Sequence, residues 1–326
     1  MSNRVKAIRL HETGGPDKLK LESVELPSPE PGMATVRHAA VGVNFIDTYH
    51  RSGLYPLPLP SGLGLEAAGV IEAVGEGVNL NVGDRVCYFA ATLGAYSEAA
   101  NQPAHRLVRL PDSISFEQAA ASALKGATVE LLVRRVHALK SNEYCLFHAA
   151  AGGVGSLFGQ WAKAIGAIAI GTVGSDEKMA RARELGYQHV INYRTEDVVA
   201  RVKEITNNKG VAVVYDGIGR DTFDVSLDSL QPRGLMVSFG NASGPPEPFL
   251  LQTLALKGSL FITRPSLMDY VIDDHEMHAA ISSVFDQIIT GNLKIEIGQR
   301  YSLADIAQAH HDLEASRTLG ACLVTP

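Results

Sequence analysis

The chain has 326 residues, 46% of them hydrophobic and 20% charged, and a formal net charge of −6. Such a chain is long enough to bury one large core or two moderate ones, and its length favours two domains. No apolar run reaches the roughly eighteen residues needed to span a membrane, and no cluster of Lys and Arg offers a surface for nucleic-acid phosphates. The composition therefore argues against a membrane span and against nucleic-acid binding as a main role.

Cysteine usage and the N-terminal sequence bear on the cellular compartment. The three cysteines, Cys87, Cys145 and Cys322, are too few and too scattered to form a disulfide framework. Residues 1–15 lack the apolar core of a secretory signal peptide. These two features together predict a cytoplasmic protein.

The first third of the chain has the pattern of β-structure with frequent turns. Apolar runs cover 4–10, 18–26 and 34–43, and a proline-rich turn separates the last two. A polar and aromatic stretch follows at 44–56. Residues 62–89 are rich in glycine, with short Val and Ile runs that are typical of a small, partly open barrel.

The segment 143–178 has the order strand, glycine turn, helix and strand. The apolar run Tyr144–Phe147 leads into the turn, and a second run, Ala167–Val173, ends at Gly174. Between the two runs, apolar residues recur at helical spacing. The turn reads A-x-G-x-x-G, and this form between a strand and a helix is the context that a dinucleotide fingerprint needs.

Two glycines of this turn have predicted physical roles. Because Gly152 has no Cβ, the backbone there is able to approach a pyrophosphate closely. Gly155 allows the helix to pack tightly on the sheet, and the N-terminus of that helix offers unpaired N–H groups and a partial positive charge to the phosphates. The segment therefore predicts a site for a dinucleotide cofactor.

The alternation of strands and helices continues beyond this segment. A helical pattern precedes it at 116–140. Further apolar strand candidates follow it at His189–Asn192, Val211–Asp216, Leu235–Phe239 and Ser259–Thr263. With the two strands already described they make six, the number in a full doubly wound dinucleotide domain with a parallel sheet. The closing part of the chain combines a helix-like run, Met277–Ile289, with a strand-like tail.

Several motifs in fixed order resemble the quinone oxidoreductases of the medium-chain dehydrogenase/reductase superfamily, the zinc-free group related to zeta-crystallin. The motifs are VGVNFIDTYHRSGLYP, GLEAAGVIEAVGEGV, VGDRV, AAAGGVG and SFGNASG. The resemblance covers essentially the whole chain. It implies a GroES-like catalytic domain at 1–125, a Rossmann NADP-binding domain at 126–263 and a C-terminal segment, 264–326, that returns to the catalytic domain. It also implies a homodimer.

The same superfamily contains zinc-dependent alcohol dehydrogenases, so a metal must be considered. Those enzymes carry a Cys at the position corresponding to Asn44 and a His in a G-H-E motif, where this chain reads G-L-E with Leu65 in the middle. Asn offers zinc only a weak amide oxygen and Leu offers no ligand atom. His310 and His311 lack metal-site spacing and are expected to be exposed on a helix. The sequence therefore predicts metal-free chemistry.

The end of the second strand of the dinucleotide unit distinguishes NADP from NAD. An NAD enzyme places an acidic residue there, about twenty residues after the glycines, to bind the ribose 2′-hydroxyl. Val173 occupies this position here. Ser175 and Lys178 are able to donate to a 2′-phosphate, and the resemblance gives this role to Lys178 together with Tyr193. NADPH is therefore the predicted cofactor.

Two acidic residues in the same stretch permit two interpretations. Asp176 and Glu177 would repel a 2′-phosphate if their carboxylates faced it. Alternatively, Ser175 caps the following helix and both acids occupy its first turn, where the helix dipole favours negative charge. The second interpretation is the one that leaves NADPH favoured.

The resemblance implies a further set of cofactor contacts. Beside the nicotinamide ribose it places Asn44, Phe45, Ile46, Asp47 and Tyr49. It places Gly153 and Val154 at the pyrophosphate, and Ala151, Gly152, Gly155 and Gly174 complete the predicted cofactor-binding residues of this part of the chain. The nicotinamide is bordered by Phe239, Gly240 and Asn241, and the remaining wall consists of Arg264, Pro265, Ser266 and Arg317. Arg264 and Arg317 are equally compatible with ordinary surface cations.

The chemistry that the resemblance implies is hydride transfer from NADPH to a quinone or a similar electrophilic carbonyl acceptor. Tyr49 and Tyr55 are the candidates for holding the acceptor, and the alternative is that they are packing aromatics at the barrel edge. Asn44 is placed to polarise a carbonyl, whereas Asp47 is expected to anchor its loop. A quinone needs little more, because its reduced oxygens take protons from solvent.

Two other functions remain open at this stage. One is reduction of the C=C bond of enones or alkenals, which additionally needs a proton at the α-carbon. The other is a non-enzymatic role, as a crystallin-type or RNA-binding protein. The intact dinucleotide turn and the absence of a basic stripe argue against the non-enzymatic role.

Overall fold

The computed structural model describes residues 4–326, which fold into two compact units. The first unit contains the chain up to Ala127, together with Val271–Ile289 and Ile295–Pro326. The second unit contains Thr128–Tyr270 and Thr290–Lys294. The sequence predicts breaks after 125 and 263, whereas the structure places them after 127 and 270. At the later break, the Arg135 guanidinium donates to the Tyr270 carbonyl at 2.9 Å within the second unit.

The strands and helices of residues 4–326 are as follows. The strands are β1 (Arg4–Leu10), β2 (Leu19–Glu25), β3 (Met33–Val43), β4 (Ser61–Gly62), β5 (Glu66–Val74), β6 (Arg85–Phe89), β7 (Ala99–Pro103), β8 (Val108–Arg109), β9 (Tyr144–Phe147), β10 (Ile168–Val173), β11 (His189–Asn192), β12 (Val211–Asp216), β13 (Leu230–Ser238), β14 (Phe261–Thr263), β15 (Ile297–Ser302) and β16 (Ala321–Thr325). The α-helices are α1 (Phe45–Ser52), α2 (Phe116–Glu130), α3 (Gly153–Ile165), α4 (Asp176–Glu184), α5 (Val198–Ile205), α6 (Phe223–Asp228), α7 (Gln252–Leu256), α8 (Asp274–Ile289) and α9 (Ile306–Glu314).

The second unit is built on a six-stranded sheet in the order β11-β10-β9-β12-β13-β14. Every neighbouring pair in this sheet is parallel. Counted from its first strand, the order is 3-2-1-4-5-6, which is the order of the doubly wound dinucleotide fold. The prediction of six strands and of a Rossmann sheet is therefore confirmed.

The central strands of this sheet are mostly apolar because both faces of a parallel sheet are covered. One face packs in a cluster that includes Leu146, Ile170, Ile191, Val214 and Met236. Each of these five side chains is completely shielded from solvent, and burial of a side chain of this size stabilises the fold by roughly 1.5–3 kcal/mol. The continuous apolar runs in the sequence therefore have their cause in this two-sided burial.

The first unit is mostly β-structure. Its larger sheet has the order β15-β16-β3-β5-β6-β8, with β7 paired to β3, and its smaller sheet has the order β2-β1-β4. The antiparallel pairing of β16 with β3 brings the C-terminal tail into this sheet. The sequence predicts that the C-terminal segment returns to the first domain, and the antiparallel pairing of β16 with β3 is the contact by which its last strand joins that unit.

The polar and aromatic stretch after β3 forms the helix α1. The Asp47 carboxylate accepts a hydrogen bond from the Asn44 backbone N–H at 2.8 Å, which is the reciprocal half of a capping box. The helix ends at Gly53, whose φ of 86° is in the left-handed region that glycine adopts without strain. This helix fixes the positions of the candidate residues between 44 and 52.

Two findings within residues 4–326 concern the predictions on membranes and disulfides. No helix there combines the length and the apolar composition that crossing a membrane requires. Cys87, Cys145 and Cys322 are buried free thiols.

Candidate functional site

The glycine turn lies between β9 and the N-terminus of α3. A Cβ at Gly155 would lie 2.4 Å from the Ala149 carbonyl oxygen and 2.7 Å from that of Ala150. No real Cβ approaches backbone atoms so closely, so only glycine allows the helix to begin this near the strand. The predicted packing role of Gly155 is confirmed.

Gly152 precedes the first residue of α3 and has an ordinary extended backbone, with φ of −79°. A Cβ there would lie 3.2 Å from the Ala149 oxygen, which demands only a small adjustment. Ala149 itself has a φ of 59°, an uncommon conformation for a residue with a side chain. The fold therefore requires glycine at position 155 more than at 152, and the predicted close approach of a ligand to Gly152 stays a prediction.

A buried polar network lies directly behind the turn. His148 contacts the Thr172 hydroxyl through Nδ1 at 2.9 Å and the Ser226 hydroxyl through Nε2 at 3.0 Å. Ser226 in turn donates to Asp216 at 2.7 Å. Burial lowers the pKa of His148, and the Asp216 carboxylate opposes that shift. The network ties the ends of β9, β10 and β12 together, and the sequence reasoning did not foresee it although His148 directly precedes the motif.

Residues that follow the strands β10 and β11 lie close together beyond the C-terminal ends of these strands. Ser175 caps α4, and its hydroxyl oxygen accepts from the Lys178 backbone N–H at 3.3 Å. A Cβ on Gly174 would lie 2.5 Å from the Tyr193 hydroxyl oxygen and 3.5 Å from the Arg194 Nε. The structure therefore brings together Gly174, Ser175, Lys178 and Tyr193, as the sequence predicted, and adds Arg194, which it had missed. We call these five residues the β10 corner.

The β10 corner and the first turn of α4 carry charges of both signs. Burial lowers the pKa of Lys178, the neighbouring Arg194 cation lowers it further, and Glu177 acts in the opposite direction. Asp176 and Glu177 occupy the first turn of α4, and Asp176 accepts from the Asn192 side chain at 2.9 Å. The interpretation in which Ser175 caps the helix is therefore confirmed, and the corner carries two cations close to each other.

The loop after β13 contains Phe239, Gly240 and Asn241. A Cβ on Gly240 would lie 2.4 Å from the Gly217 carbonyl oxygen, so the loops that follow β12 and β13 are in close backbone contact. Arg264 donates to the Ser238 carbonyl at 2.8 Å, and the Asn241 amide oxygen, in its favourable orientation, accepts from Arg264 at 3.2 Å. Arg264 is exposed and supports this loop, and its role towards a cofactor stays a prediction. Pro265 and Ser266 directly follow it.

The candidate tyrosines of the first unit pack against each other. The rings of Tyr49 and Tyr55 meet edge to face with their centroids 5.2 Å apart, and the Tyr55 N–H donates to the Tyr49 carbonyl at 3.1 Å. The ring centroids of Phe45 and Tyr49 are 6.1 Å apart, and Phe45 and Ile46 are half-buried. The packing role of these aromatics is thus observed, and an additional role in holding an acceptor stays a prediction.

Asn44 belongs to a buried charged cluster that the sequence reasoning missed. Its side-chain Nδ2 donates to Glu66 at 2.8 Å, and the same Glu66 oxygen lies 3.4 Å from the Lys125 ammonium. Glu66 is completely buried and Lys125 is 6% exposed. The signal for this cluster was present in the sequence, since Lys125 is the one charged residue in the otherwise apolar run AAASALKGATV.

Asp47 adjoins this cluster. One carboxylate oxygen accepts from the Tyr96 hydroxyl at 2.7 Å and from the Asn44 N–H at 2.8 Å. The other oxygen is buried and has no hydrogen-bond partner within residues 4–326. Burial raises the pKa of Asp47 to about 7, although the hydrogen bond from the Tyr96 hydroxyl acts to lower this pKa. The hydrogen bonds agree with the expected anchoring role, and the raised pKa places the titration of Asp47 near neutral pH.

The expectation that His310 is exposed is wrong. His310 is completely buried, with Nδ1 3.2 Å from an Arg51 nitrogen and Nε2 3.1 Å from the Tyr96 hydroxyl. Because a guanidinium only donates, Nδ1 accepts and Nε2 carries the proton. Burial lowers the pKa of His310 to about 3, and the Arg51 cation acts in the same direction. His311, by contrast, is exposed as expected.

Two remaining predictions concern Arg317 and a metal. Arg317 follows α9 in the first unit, is 63% exposed and lies 3.7 Å from Asp312, whereas Arg264 belongs to the second unit. Leu65 is buried and apolar. Across residues 4–326, no group of three or more His, Cys, Asp or Glu side chains is arranged to hold a metal ion.

A parallel dinucleotide sheet with a glycine turn, joined in one chain to a GroES-like β-unit, defines a medium-chain dehydrogenase/reductase. Two family models agree with this class: "Alcohol dehydrogenase GroES-like domain" matches residues 30–112 and "Zinc-binding dehydrogenase" matches residues 153–282. Over 325 residues, 98% of this chain and 99% of the relative, the sequence is 53% identical to the quinone oxidoreductase of Salmonella typhimurium. The chain therefore belongs to the quinone oxidoreductase family of this superfamily.

Two further comparisons extend the relationship. The solved structure of Escherichia coli quinone oxidoreductase complexed with NADPH matches with a TM-score of 0.97 at 50% identity, covering 98% of this chain and 100% of that one. The 2-haloacrylate reductase of a Burkholderia species is 42% identical over 331 residues, 99% of each chain. Relatives of this chain thus include proteins named for two different acceptors.

Proposed function

We propose that this protein is a zinc-independent NADPH:quinone oxidoreductase. The observation that carries the proposal is its near-full-length similarity to quinone oxidoreductases, one of which was solved with NADPH. The β10 corner supports the choice of NADPH over NADH. It combines Lys178 and Arg194 around Gly174, and the strand itself ends in Val173 where an NAD enzyme has an acid.

The residues of the second unit fit a dinucleotide from one end to the other. The start of α3 offers backbone N–H groups to the diphosphate, since the first turn of a helix has no internal partners for them. Lys178, Arg194 and the Ser175 hydroxyl would hold the 2′-phosphate. The loop Phe239–Asn241, supported by Arg264, would border the nicotinamide.

Bound NADPH supplies the hydride, and the chain supplies position. We assign to Asn44, Tyr49 and Tyr55 the task of orienting the acceptor, with the two tyrosine hydroxyls donating hydrogen bonds to its oxygen. We also assign to Asn44 a contact with the nicotinamide end of NADPH. Arg317, Pro265 and Ser266 remain proposed walls of the cofactor site. A reduced quinone takes its protons from solvent, so the reaction demands no dedicated general acid from the protein.

A second candidate is reduction of an electron-poor C=C bond, which is favoured by the similarity to 2-haloacrylate reductase. The two candidates are separated by stopped-flow oxidation of NADPH with 1,4-benzoquinone and with a simple enone, side by side. Quinone reduction is expected to be the faster reaction. NADPH oxidation with the enone alone would replace the first proposal by the second, and NADPH binding without turnover of either would point to a non-enzymatic role.

We also propose a homodimer formed through the second unit. The strand β14 is the edge of the six-stranded sheet, and an unpaired edge is a template for pairing with another chain. Its Phe261 is 60% exposed, and in the segment that precedes it in the chain Leu256 is 80% exposed and Leu250 and Leu251 are each 76% exposed. An apolar area of this kind at a sheet edge is typical of an interface.

Light scattering after size-exclusion chromatography tests the dimer. The wild-type protein is expected at the mass of two chains, and Leu256→Asp is expected to shift it towards the mass of one. Leu21→Asp is the matched control, because Leu21 is also an exposed leucine, at 41%, but belongs to the first unit. Wild-type protein at the mass of a single chain would contradict the proposal.

We propose a cytoplasmic location for the protein. Support comes from the three buried free thiols, Cys87, Cys145 and Cys322, because unpaired cysteines are the usual state in a reducing compartment. Fractionation of cells expressing the natural protein tests this, with recovery in the soluble cytosolic fraction as the expected result.

A further inference from the structure

The buried cluster around Glu66 has a construction that stability alone does not explain. The Glu66 carboxylate accepts from the Leu124 backbone N–H at 2.6 Å and from Asn44 Nδ2 at 2.8 Å, and it pairs with Lys125 at 3.4 Å. A Cβ on Gly42 would lie 2.2 Å from this carboxylate. The strand β3, the strand β5 and the helix α2 thus combine to seat one charged group in the interior of the first unit.

Burying such a pair is a poor way to stabilise a fold. The cost of removing two charges from water often exceeds their attraction, and replacing a buried pair by neutral residues of similar volume is frequently neutral or stabilising. An exposed pair lies in the same sheet, since Arg37 on β3 lies 2.9 Å from Glu72 on β5, whereas the buried pair joins β5 to the helix α2. The buried pair of Glu66 and Lys125 therefore calls for another explanation.

Its immediate effect is on the orientation of Asn44. An ionised carboxylate is an acceptor only, so the Asn44 amide must turn its NH₂ group towards Glu66 and its oxygen away. Lys125 supports this arrangement because its ammonium, 3.4 Å from the same Glu66 oxygen, only donates to it.

We propose that Glu66 and Lys125 are positioning residues that hold the Asn44 carboxamide in one orientation for the nicotinamide end of the bound cofactor. This inference rests on the proposed function, in which Asn44 contacts that end of NADPH. The pair acts through Asn44 and has no contact of its own with the reacting atoms. It sets which of the two polar groups of the amide a ligand meets.

A double-mutant cycle on NADPH binding tests the inference. The paired substitution Glu66→Gln with Lys125→Met removes both charges and leaves no lone buried ion. Asn44→Ser removes the carboxamide and retains a residue suited to a helix N-cap. Each of the two changes is expected to weaken NADPH binding about tenfold, the effect of one misdirected hydrogen bond. Combined, they are expected to weaken it no further than Asn44→Ser alone.

The matched control is the paired substitution Arg37→Met with Glu72→Gln, which neutralises an exposed pair on the same strand β5 and is expected to leave NADPH binding unchanged. Dissociation constants come from fluorescence titration with NADPH, and thermal unfolding verifies that each variant is folded. If the buried paired variant does not fold, Glu66→Gln alone takes its place in the cycle.

Two results would overturn the inference. The first is an NADPH affinity equal to that of the wild type in the paired variant or in Asn44→Ser. The second is a loss of NADPH affinity from the paired change that is as large in the Asn44→Ser background as in the wild type. The proposed function fails separately, through the absence of quinone turnover by wild-type protein. Because the cycle is measured on binding, it remains decisive in that case. The ratio of kcat to KM for 1,4-benzoquinone should show the same non-additivity when turnover is present.

Discussion

Removing the Lys178 ammonium should weaken NADPH binding and leave NADH binding nearly unchanged. The two coenzymes differ only in the 2′-phosphate, and Lys178 lies at the end of β10 with Gly174, Tyr193 and Arg194 around it. The substitution Lys178→Ala removes the cation and keeps a good helix former in the first turn of α4. Its effect on the two coenzymes therefore isolates the interaction with the phosphate.

The size of the effect follows from the exposure of the side chain. A hydrogen bond to a charged group contributes about 1.5–3 kcal/mol. Because Lys178 is half-buried, solvent screens its charge, and we expect its contribution to NADPH binding to lie near the lower limit of this range. About 1.4 kcal/mol corresponds to a tenfold rise in the NADPH dissociation constant. Because Arg194 would remain as a second cation, the double variant with Arg194→Ala should lose considerably more.

Fluorescence titrations with NADPH and NADH at constant ionic strength measure the effect. Lys203→Ala serves as the control, since Lys203 is an exposed lysine of α5 in the same unit. The expected result is a tenfold loss for NADPH with Lys178→Ala, a loss of less than twofold for NADH, and no change with the control. Equal losses for both coenzymes would show that Lys178 does not face the 2′-phosphate and would refute the reasoning.

Two further predictions concern the glycine turn and the buried histidine. Gly155→Ala should destabilise the fold by roughly 1–3 kcal/mol and weaken NADPH binding, since its Cβ would lie 2.4 Å from the Ala149 oxygen. Gly152→Ala should reduce the stability less. Equal losses of the free energy of unfolding in urea would contradict this difference. The pKa of His310 lies at about 3 in the folded protein, below its ordinary value of 6.5. The unfolded chain therefore binds the proton first, and the contribution of neutral His310 to stability is complete above pH 6.5 and is lost as the pH falls through 3. Relative to His310→Gln, the wild-type free energy of unfolding should accordingly fall between pH 7 and pH 4, and a constant difference would contradict the assignment.

The elements that the sequence predicted well owe their signal to local causes. The strands Tyr144–Phe147, His189–Asn192 and Val211–Asp216 have their predicted limits, because buried parallel strands are short apolar runs that end at glycine or polar residues. Ser175 was placed correctly as a helix cap for the same reason, since the capping contact to Lys178 lies three residues away.

The features that were missed depend on partners that are distant in sequence. The expectation that His310 is exposed is wrong because its buried partner Arg51 is 259 positions away. Glu66 and Lys125 are 59 positions apart, and the local sequence around either residue does not predict its contact with the other. Arg194 is recognisable only from the contact that its loop makes with Gly174. Local patterns fixed the elements, while the charges within the site followed from packing.

Turnover without a metal is the prediction that depends most directly on the first unit. Leu65 has no ligand atom, the Asn44 amide donates to Glu66, and Glu66 is already occupied by the Leu124 N–H and the Lys125 ammonium. A zinc ion there would have to displace an established cation and two hydrogen bonds, and would gain at most amide and carboxylate oxygens. Exhaustive treatment with a chelator should therefore leave the rate of NADPH oxidation by 1,4-benzoquinone unchanged, measured against an untreated sample of the same preparation. Loss of this activity with recovery on addition of zinc alone would contradict the argument, because it would require the Glu66 cluster to open and accept the metal.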